Sequence, residues 1–144
     1  MEETFQIFPV GIIKKQDKNV IIEIDPEYKE ALLGLDQFSH IIVLSWFHKN
    51  DDPKKRNTLK VYPRGDRSNP LTGVFATRSP LRPNLIAIAI CKVLSIHDNI
   101  IHIDEIDSFH ETPVIDIKPY IPYDIHISEV RVPEWVKNLH RKDN

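Results

Sequence analysis

The sequence predicts a mainly β protein, a small antiparallel β-barrel with one or two short helices. Three observations carry this expectation. Isoleucine and valine supply 31 of 144 residues, and β-branched side chains suit the pleated, half-buried surface of a sheet. The apolar residues fall in short runs separated by Pro, Gly, Asn and Asp, the punctuation of an antiparallel chain. At this length a closed or partly closed barrel is the natural solution, because closure removes exposed edges.

In chain order, 5–13 reads as a first strand, with Pro9 and Gly11 marking an edge or bulge. A turn at 17–19 leads to a second strand at 20–24. A short helix follows over 26–33, capped by Asp25, opened by Pro26 and stopped by Gly34. The run 38–47 is apolar almost throughout and reads as a central strand buried on both faces. A short strand at 59–62 and a flexible loop at 66–70 precede a proline-rich connection at 73–84. The run 85–96 is a long strand whose Ile-Ala-Ile-Ala order puts large and small side chains on opposite faces. A tight turn at 97–99, a strand at 100–106, a polar connection at 108–112, a strand at 114–117 and a terminal helix over 133–139 complete the chain. No repeat or linker interrupts 1–144, which implies a single domain.

The net charge of −2 gives no global attraction to nucleic acid or anionic membrane. Between Lys54 and Arg82, however, Lys54, Lys55, Arg56, Lys60, Arg64, Arg67, Arg78 and Arg82 face one acid, Asp66. That stretch is either a solvated loop or a surface for RNA phosphates, and the clustering favours RNA. Cys91 is the only cysteine and lies in an apolar run, so a buried, inert thiol in a reducing cytoplasm is expected. No apolar run nears the ~20 residues that span a bilayer. The histidines at 40, 48, 97, 102, 110, 126 and 140 lack metal-ligand spacing, so no metal is expected.

The stretch at 73–84, GVFATRSPLRPN, stands out. Pro80 and Pro83 fix φ and remove backbone donors, and Ser79 and Arg82 before them are driven to extended backbone. A stiff loop of this kind presents Arg78 and Arg82 in fixed positions. His48, at the end of an apolar strand beside a polar loop, is a candidate base; histidine in general titrates near ~6.5. Asp116 is a second candidate base, or a structural partner of Lys118. His40 reads as a core histidine or a catalytic one.

Four fragments, FPVGII at 8–13, FSHIIVLSWFH at 38–48, GVFATRSPLRPN at 73–84 and TPVIDIKPYIP at 112–122, occur in an order that resembles the TsaA-like (TrmO) family. The resemblance covers about residues 5–123. It implies a small antiparallel barrel that pairs into homodimers and binds S-adenosylmethionine near the subunit interface. The implied activity is methylation of the N6 nitrogen of threonylcarbamoyladenosine beside the tRNA anticodon. Carried over residue by residue, it assigns Arg78, His48, Lys49, Ile88 and the turn Ser108, Phe109, His110, Glu111, Thr112 to the cofactor. Phosphate contacts would fall to Lys54, Lys55, Arg56, Lys60, Arg64, Arg67 and Arg82. The sequence departs from the family pattern in three places. The short turn at 14–19 replaces a PRQ element of bacterial members, as in shorter archaeal-type members. Residues 85–89 read LIAIA where PIGLS is usual, and His110-Glu111 replaces Asp-Gly. The alternatives to this activity are a non-catalytic barrel that binds RNA or a small ligand, and a methyltransferase with another acceptor.

Overall fold

The computed structural model describes residues 3–125 and 127–139. Eight strands form: β1 (Gly11–Gln16), β2 (Asn19–Ile24), β3 (His40–Trp46), β4 (Lys60–Val61), β5 (Thr72–Gly73), β6 (Ile86–His97), β7 (Ile100–Ile103) and β8 (Pro113–Pro119). Six of them close a barrel in the order β1-β2-β7-β6-β3-β8, every neighbouring pair antiparallel. The barrel expected from the sequence is therefore present. β4 and β5 form a separate two-stranded ribbon. Two single-turn α-helices, α1 (Pro53–Arg56) and α2 (Glu134–Lys137), lie outside the barrel strands.

A six-stranded barrel is narrow, so its interior takes one layer of alternating side chains. Ile13, Ile22, Ile41, Val43, Ile101 and Val114 are completely buried there. Cys91 joins them, and its burial, with the nearby carboxylates of Asp104, Asp107 and Glu105, pushes the thiol up to about 11. The thiol therefore stays protonated at neutral pH.

Several boundaries differ from the sequence reading, each for a local reason. The first strand runs over Gly11–Gln16 rather than 5–13. Pro9 has no N–H, and pairing starts when the Val10 N–H donates to the Val114 carbonyl at 2.8 Å. Phe5 and Phe8 stay exposed, Phe8 stacked on Tyr28 at 6.0 Å. The strand runs on to Gln16 because Lys14, Lys15 and Gln16 stay in register with Ile21, Val20 and Asn19, and Lys14 also pairs with Glu23 at 2.6 Å. The segment Pro26–Leu32 is a 3-10 helix, and the Asp25 backbone carbonyl, not its carboxylate, takes the Tyr28 N–H. β3 is not buried on both faces: Ile41, Val43 and Ser45 are buried, whereas His40, Ile42, Leu44 and Trp46 are only half-covered. β7 stops at Ile103, since the next residue pairs with Lys92 through both its main chain and its carboxylate. The 97–99 turn is reduced to Asp98 and Asn99, with Asp98 at φ 58°. β5 was not expected, because two residues carry no periodicity. His126 and His140 lie outside the described residues.

Gly11 starts β1 where two strands approach closely: a Cβ there would stand 2.6 Å from the Glu23 carbonyl oxygen. A main-chain atom cannot swing aside as a side chain can. Gly11→Ala should therefore lower folding stability by about 1–3 kcal/mol, the usual cost of an inserted methyl group in a packed site. A urea midpoint unchanged from wild type would show that the β1–β2 spacing has slack.

Candidate active site

The proline-rich loop is stiff for more reasons than its prolines. A 3-10 turn at Val74–Ala76 leads into it, and the Thr77 hydroxyl donates to the Val74 carbonyl at 2.9 Å. The same hydroxyl accepts the Ser79 N–H at 3.1 Å, and the Ser79 hydroxyl accepts the Leu81 N–H at 3.1 Å. The Arg82 guanidinium then closes the loop, donating to the carbonyls of Thr77 and Ser79, both at 3.1 Å. Leu85, fully buried, anchors its far end, and its carbonyl takes the Phe47 N–H at 2.8 Å. Arg78 stands exposed on this frame, with no partner among the described residues.

The end of β3 feeds a second turn, His48–Asn50. The Trp46 indole N–H donates to Asp51, whose other carboxylate oxygen pairs with Arg56 at 3.1 Å. Arg56 also lies over the Trp46 ring and donates through Nε to the Pro83 carbonyl at 2.8 Å. Asp52 caps α1 by accepting the Lys55 N–H at 2.9 Å, and the Lys55 ammonium reaches the Lys49 carbonyl. The turn is thus clamped from below, with His48 half-buried and Lys49 exposed.

The third piece is the connection before β8. The buried Thr112 closes it, its hydroxyl donating to the Phe109 carbonyl at 2.7 Å. Glu111 holds φ at 67°, and its N–H donates to the Ile13 carbonyl at 2.7 Å. The Lys15 N–H donates to His110 Nδ1 at 2.9 Å. That bond requires a lone pair on Nδ1, so neutral His110 carries its proton on Nε2.

These three turns meet. The Lys49 ammonium sits 3.9 Å above the Phe109 ring centroid, and the Asn50 amide donates to the Pro80 carbonyl at 3.2 Å. Arg78, His48, Lys49 and the 108–112 turn, singled out from three separate stretches of sequence, therefore belong to linked loops. The shelf they form is open, since Lys49, Arg78, Phe109, His110 and Glu111 are all exposed. Ile88 lies on the outer face of β6 and is half-exposed at 51%. Asp116 pairs with Lys118 at 3.3 Å and accepts its neighbour Ile117 N–H, so its carboxylate serves the strand. The basic segment divides. Lys55, Arg56 and Arg82 are engaged with main-chain carbonyls, while Lys54, Lys60, Arg64, Arg67 and Arg78 are exposed. Sequence reasoning missed Trp46, Asn50 and Asp51 as clamps. The Asn50 partner lies 30 residues away, beyond any local pattern, and the Trp46–Asp51 and Asp51–Arg56 contacts, each five residues apart, match neither helix nor strand periodicity.

The family model for the tRNA-methyltransferase O N-terminal domain matches residues 4–124. This chain belongs to that family. Among its relatives, a probable S-adenosyl-L-methionine-binding protein of Methanocaldococcus jannaschii is 50% identical over 114 residues, covering 79% of this chain and 90% of that protein. A protein of the same description from Pyrococcus horikoshii is 53% identical over 116 residues, covering 81% of this chain and 82% of its own. The human tRNA (adenine(37)-N6)-methyltransferase is 46% identical over 97 residues, 67% of this chain but 21% of that enzyme. A crystal structure of TrmO from P. aeruginosa superposes with a TM-score of 0.71 at 29% identity, covering 92% of this chain and 62% of that one. The chain thus spans less than two thirds of that solved TrmO structure.

Glu111 occupies the place where the family pattern has glycine, and its φ of 67° is the conformation glycine adopts without cost. A left-handed non-glycine residue costs about 1–2 kcal/mol, while glycine loses about 0.5–1 kcal/mol in chain entropy. Glu111→Gly should therefore raise stability by up to about 1 kcal/mol. Chemical denaturation showing a loss instead would mean that the Glu111 side chain, near His110 at 3.8 Å, contributes more than its backbone costs.

Proposed function

We propose that this chain is an S-adenosylmethionine-dependent methyltransferase acting on N6 of adenosine 37 in tRNA, with threonylcarbamoyladenosine as the acceptor. The observation that carries the reading is the meeting of the three turns at 48–50, 77–83 and 108–112 in a chain of the tRNA-methyltransferase O family. The relatives named for binding the cofactor and for methylating adenine 37 support it.

The residues present suit that cofactor. Arg78 is a fixed, exposed guanidinium, the group best matched to a carboxylate. The Phe109 ring attracts a cation, as the Lys49 ammonium over it shows, and a bound sulfonium would take the place of that ammonium. When bound, S-adenosylmethionine supplies an electrophilic methyl group. The chain's own task is then positioning and proton removal. Acylation delocalises the N6 lone pair and makes its proton easier to lose. His48, half-buried at the end of β3, would accept that proton on a ring nitrogen. Holding the acceptor in line for displacement on this shelf would supply the remaining advantage. The exposed Lys54, Lys60, Arg64 and Arg67 attract the phosphates of the anticodon arm, and the target base enters unstacked. Such an enzyme works in the cytoplasm, where tRNA is found.

Single-turnover methylation of tRNA carrying threonylcarbamoyladenosine tests the assignment. Wild type should transfer one methyl group. Arg78→Ala should bind the cofactor about 10- to 150-fold more weakly, the effect of about 1.5–3 kcal/mol from a charge-assisted hydrogen bond. His48→Ala should bind normally and react about 10²- to 10⁴-fold more slowly at saturation. A wild type that binds cofactor and transfers nothing to this tRNA would exclude the acceptor. An unchanged His48→Ala rate would exclude the base.

The proposal includes a homodimer. The outer face of β6 presents Ile86, Ile88, Ile90 and Leu94, all at least 46% exposed. Pairing sets Trp46 beside Ile86, Leu44 beside Ile88 and Ile42 beside Ile90, so the apolar surface runs across two strands. A second copy is the occupant that fits, since one self-complementary patch suffices for a twofold dimer. It would also cover the open shelf, which follows directly from the same strands. Light scattering should give about twice 16.8 kDa, and Ile90→Lys should give the monomer mass. A wild type at 16.8 kDa across micromolar concentrations would refute the pairing.

A further inference from the structure

A pocket of about 700 Å³ lies apart from the three turns, between the loop of the β4–β5 ribbon and helix α2. Arg64, Asn69 and Pro70 line it from the ribbon, and Pro133, Trp135 and Asn138 from the C-terminal segment. The loop, expected to be flexible, is internally tied. The Asp66 carboxylate accepts from the Ser68 N–H at 2.9 Å and from its hydroxyl at 2.6 Å. The Asn69 amide donates to the Pro63 carbonyl at 3.0 Å, leaving its amide oxygen as an acceptor. Arg67 lies 5.4 Å from the Tyr62 ring centroid. The wall is thus formed before any ligand arrives.

We infer that this pocket takes an unpaired nucleotide of the RNA substrate, its base stacked on Trp135. The inference rests on the tRNA reading above and adds a second point of contact. The volume falls in the range of small-ligand sites, roughly 300–1,000 Å³. Trp135, Pro70 and Pro133 offer flat apolar surfaces, and every base has a π-face that such a platform accepts. The Trp135 indole N–H has no partner among the described residues, and the Asn69 and Asn138 amides offer both donor and acceptor to a base edge. Lys60 and Arg67, exposed on the same ribbon and its loop, supply positive charge for the flanking phosphates. Glu134 also borders the pocket, but it pairs with Lys137 at 3.3 Å, so its charge is compensated. With Lys60, Arg64, Arg67 and Lys137 against Asp66 and Glu134, the ribbon and α2 together carry more positive than negative charge, which favours a polyanion over a peptide. Residues 133–139 lie beyond the 4–124 stretch that the family model matches. The pocket sits at the loop end of a ribbon whose other end leads, five residues after Gly73, to Arg78. One RNA strand could then contact both.

Binding of an unmodified tRNA transcript and of a short single-stranded oligoribonucleotide, at one fixed salt concentration, tests the inference. Trp135→Ala should bind both about tenfold more weakly, in line with the loss of one aromatic–base stack. Trp135→Tyr, which keeps a ring, should stay within about threefold of wild type, and Asn138→Ala, an exposed change, should lose about threefold. Cofactor affinity should not move in any of them. The oligoribonucleotide should quench indole emission in wild type, and that component should vanish in Trp135→Ala. Equal tRNA binding by wild type, Trp135→Ala and Asn138→Ala overturns the pocket and leaves the methyltransferase reading standing. A wild type that binds no tRNA overturns both. Quenching by an acidic peptide but by no RNA assigns the pocket to a protein partner and overturns it as an RNA contact.

Discussion

The pairing of β3 with β6, seven residue pairs from His40↔Lys92 to Trp46↔Ile86, sets the geometry of everything else. It fixes which residues of each strand enter a narrow barrel. Ser45, Val43 and Ile41 face inward on β3, and Ala87, Ala89 and Cys91 take the same side of β6. Small residues on one strand make room for larger ones opposite, so packing density is kept without strain. The consequence appears on the other face. With the alanines inside, Ile86, Ile88 and Ile90 must point out. A register slip of one residue would reverse both faces, so core packing and the apolar outer surface are two results of one constraint. The pairing also brings Phe47 against Leu85, and from there His48 and the proline-rich loop leave the barrel side by side.

Arginine does much of the local building beyond the barrel. A guanidinium has five donors in a rigid fork, and a loop rich in proline has more carbonyls than N–H groups to offer. Arg82 satisfies two such carbonyls within its own loop, and Arg56 satisfies Pro83 while stacking on Trp46. Prolines stiffen the backbone and the arginines answer the acceptors those prolines leave behind. The positive charge of the 54–82 segment therefore has two uses. Part of it is fixed in architecture, and the exposed part is concentrated on α1, the ribbon and the Arg78 loop. Net charge says nothing of this division; only the hydrogen bonds do.

The barrel was readable in the sequence because its signal is local: β-branched runs at a spacing of two, broken by turn residues. The long run at 85–96 gave even its two faces correctly, since the alternation of Ile and Ala is a direct statement of side-chain size. The run at 38–47 misled because half-covered Leu44 and Trp46 look, in sequence, the same as buried ones. Residues 5–8 misled for the same reason, being apolar but without a strand to join past Pro9. The main candidate residues emerged from the resemblance and from proline placement. Their mutual arrangement did not, because Lys49 with Phe109 and Asn50 with Pro80 are contacts between distant segments. The C-terminal pocket was unreadable too, as it depends on α2 lying against a loop more than sixty residues earlier in the chain.

Backbone conformation accounts for how the chain carries its departures from the family pattern. At 110–111 the chain keeps the left-handed backbone of a glycine turn while carrying glutamate there. It does so because the turn is over-determined: Thr112 binds Phe109, the Glu111 N–H binds Ile13, and Lys15 binds His110. Strain at one residue persists when its surroundings leave no alternative. At 85–89 the outcome is similar. Leu85, where proline is usual, is fully buried as an anchor, and Ala87 lies in register with the buried Ser45 on the barrel side. Its added methyl group therefore enters the core, not the outer face that carries Ile88. Both changes fall on residues that support the loops, Leu85 and Ala87 from the barrel and Glu111 within a tied turn, so their first effect falls on folding energy.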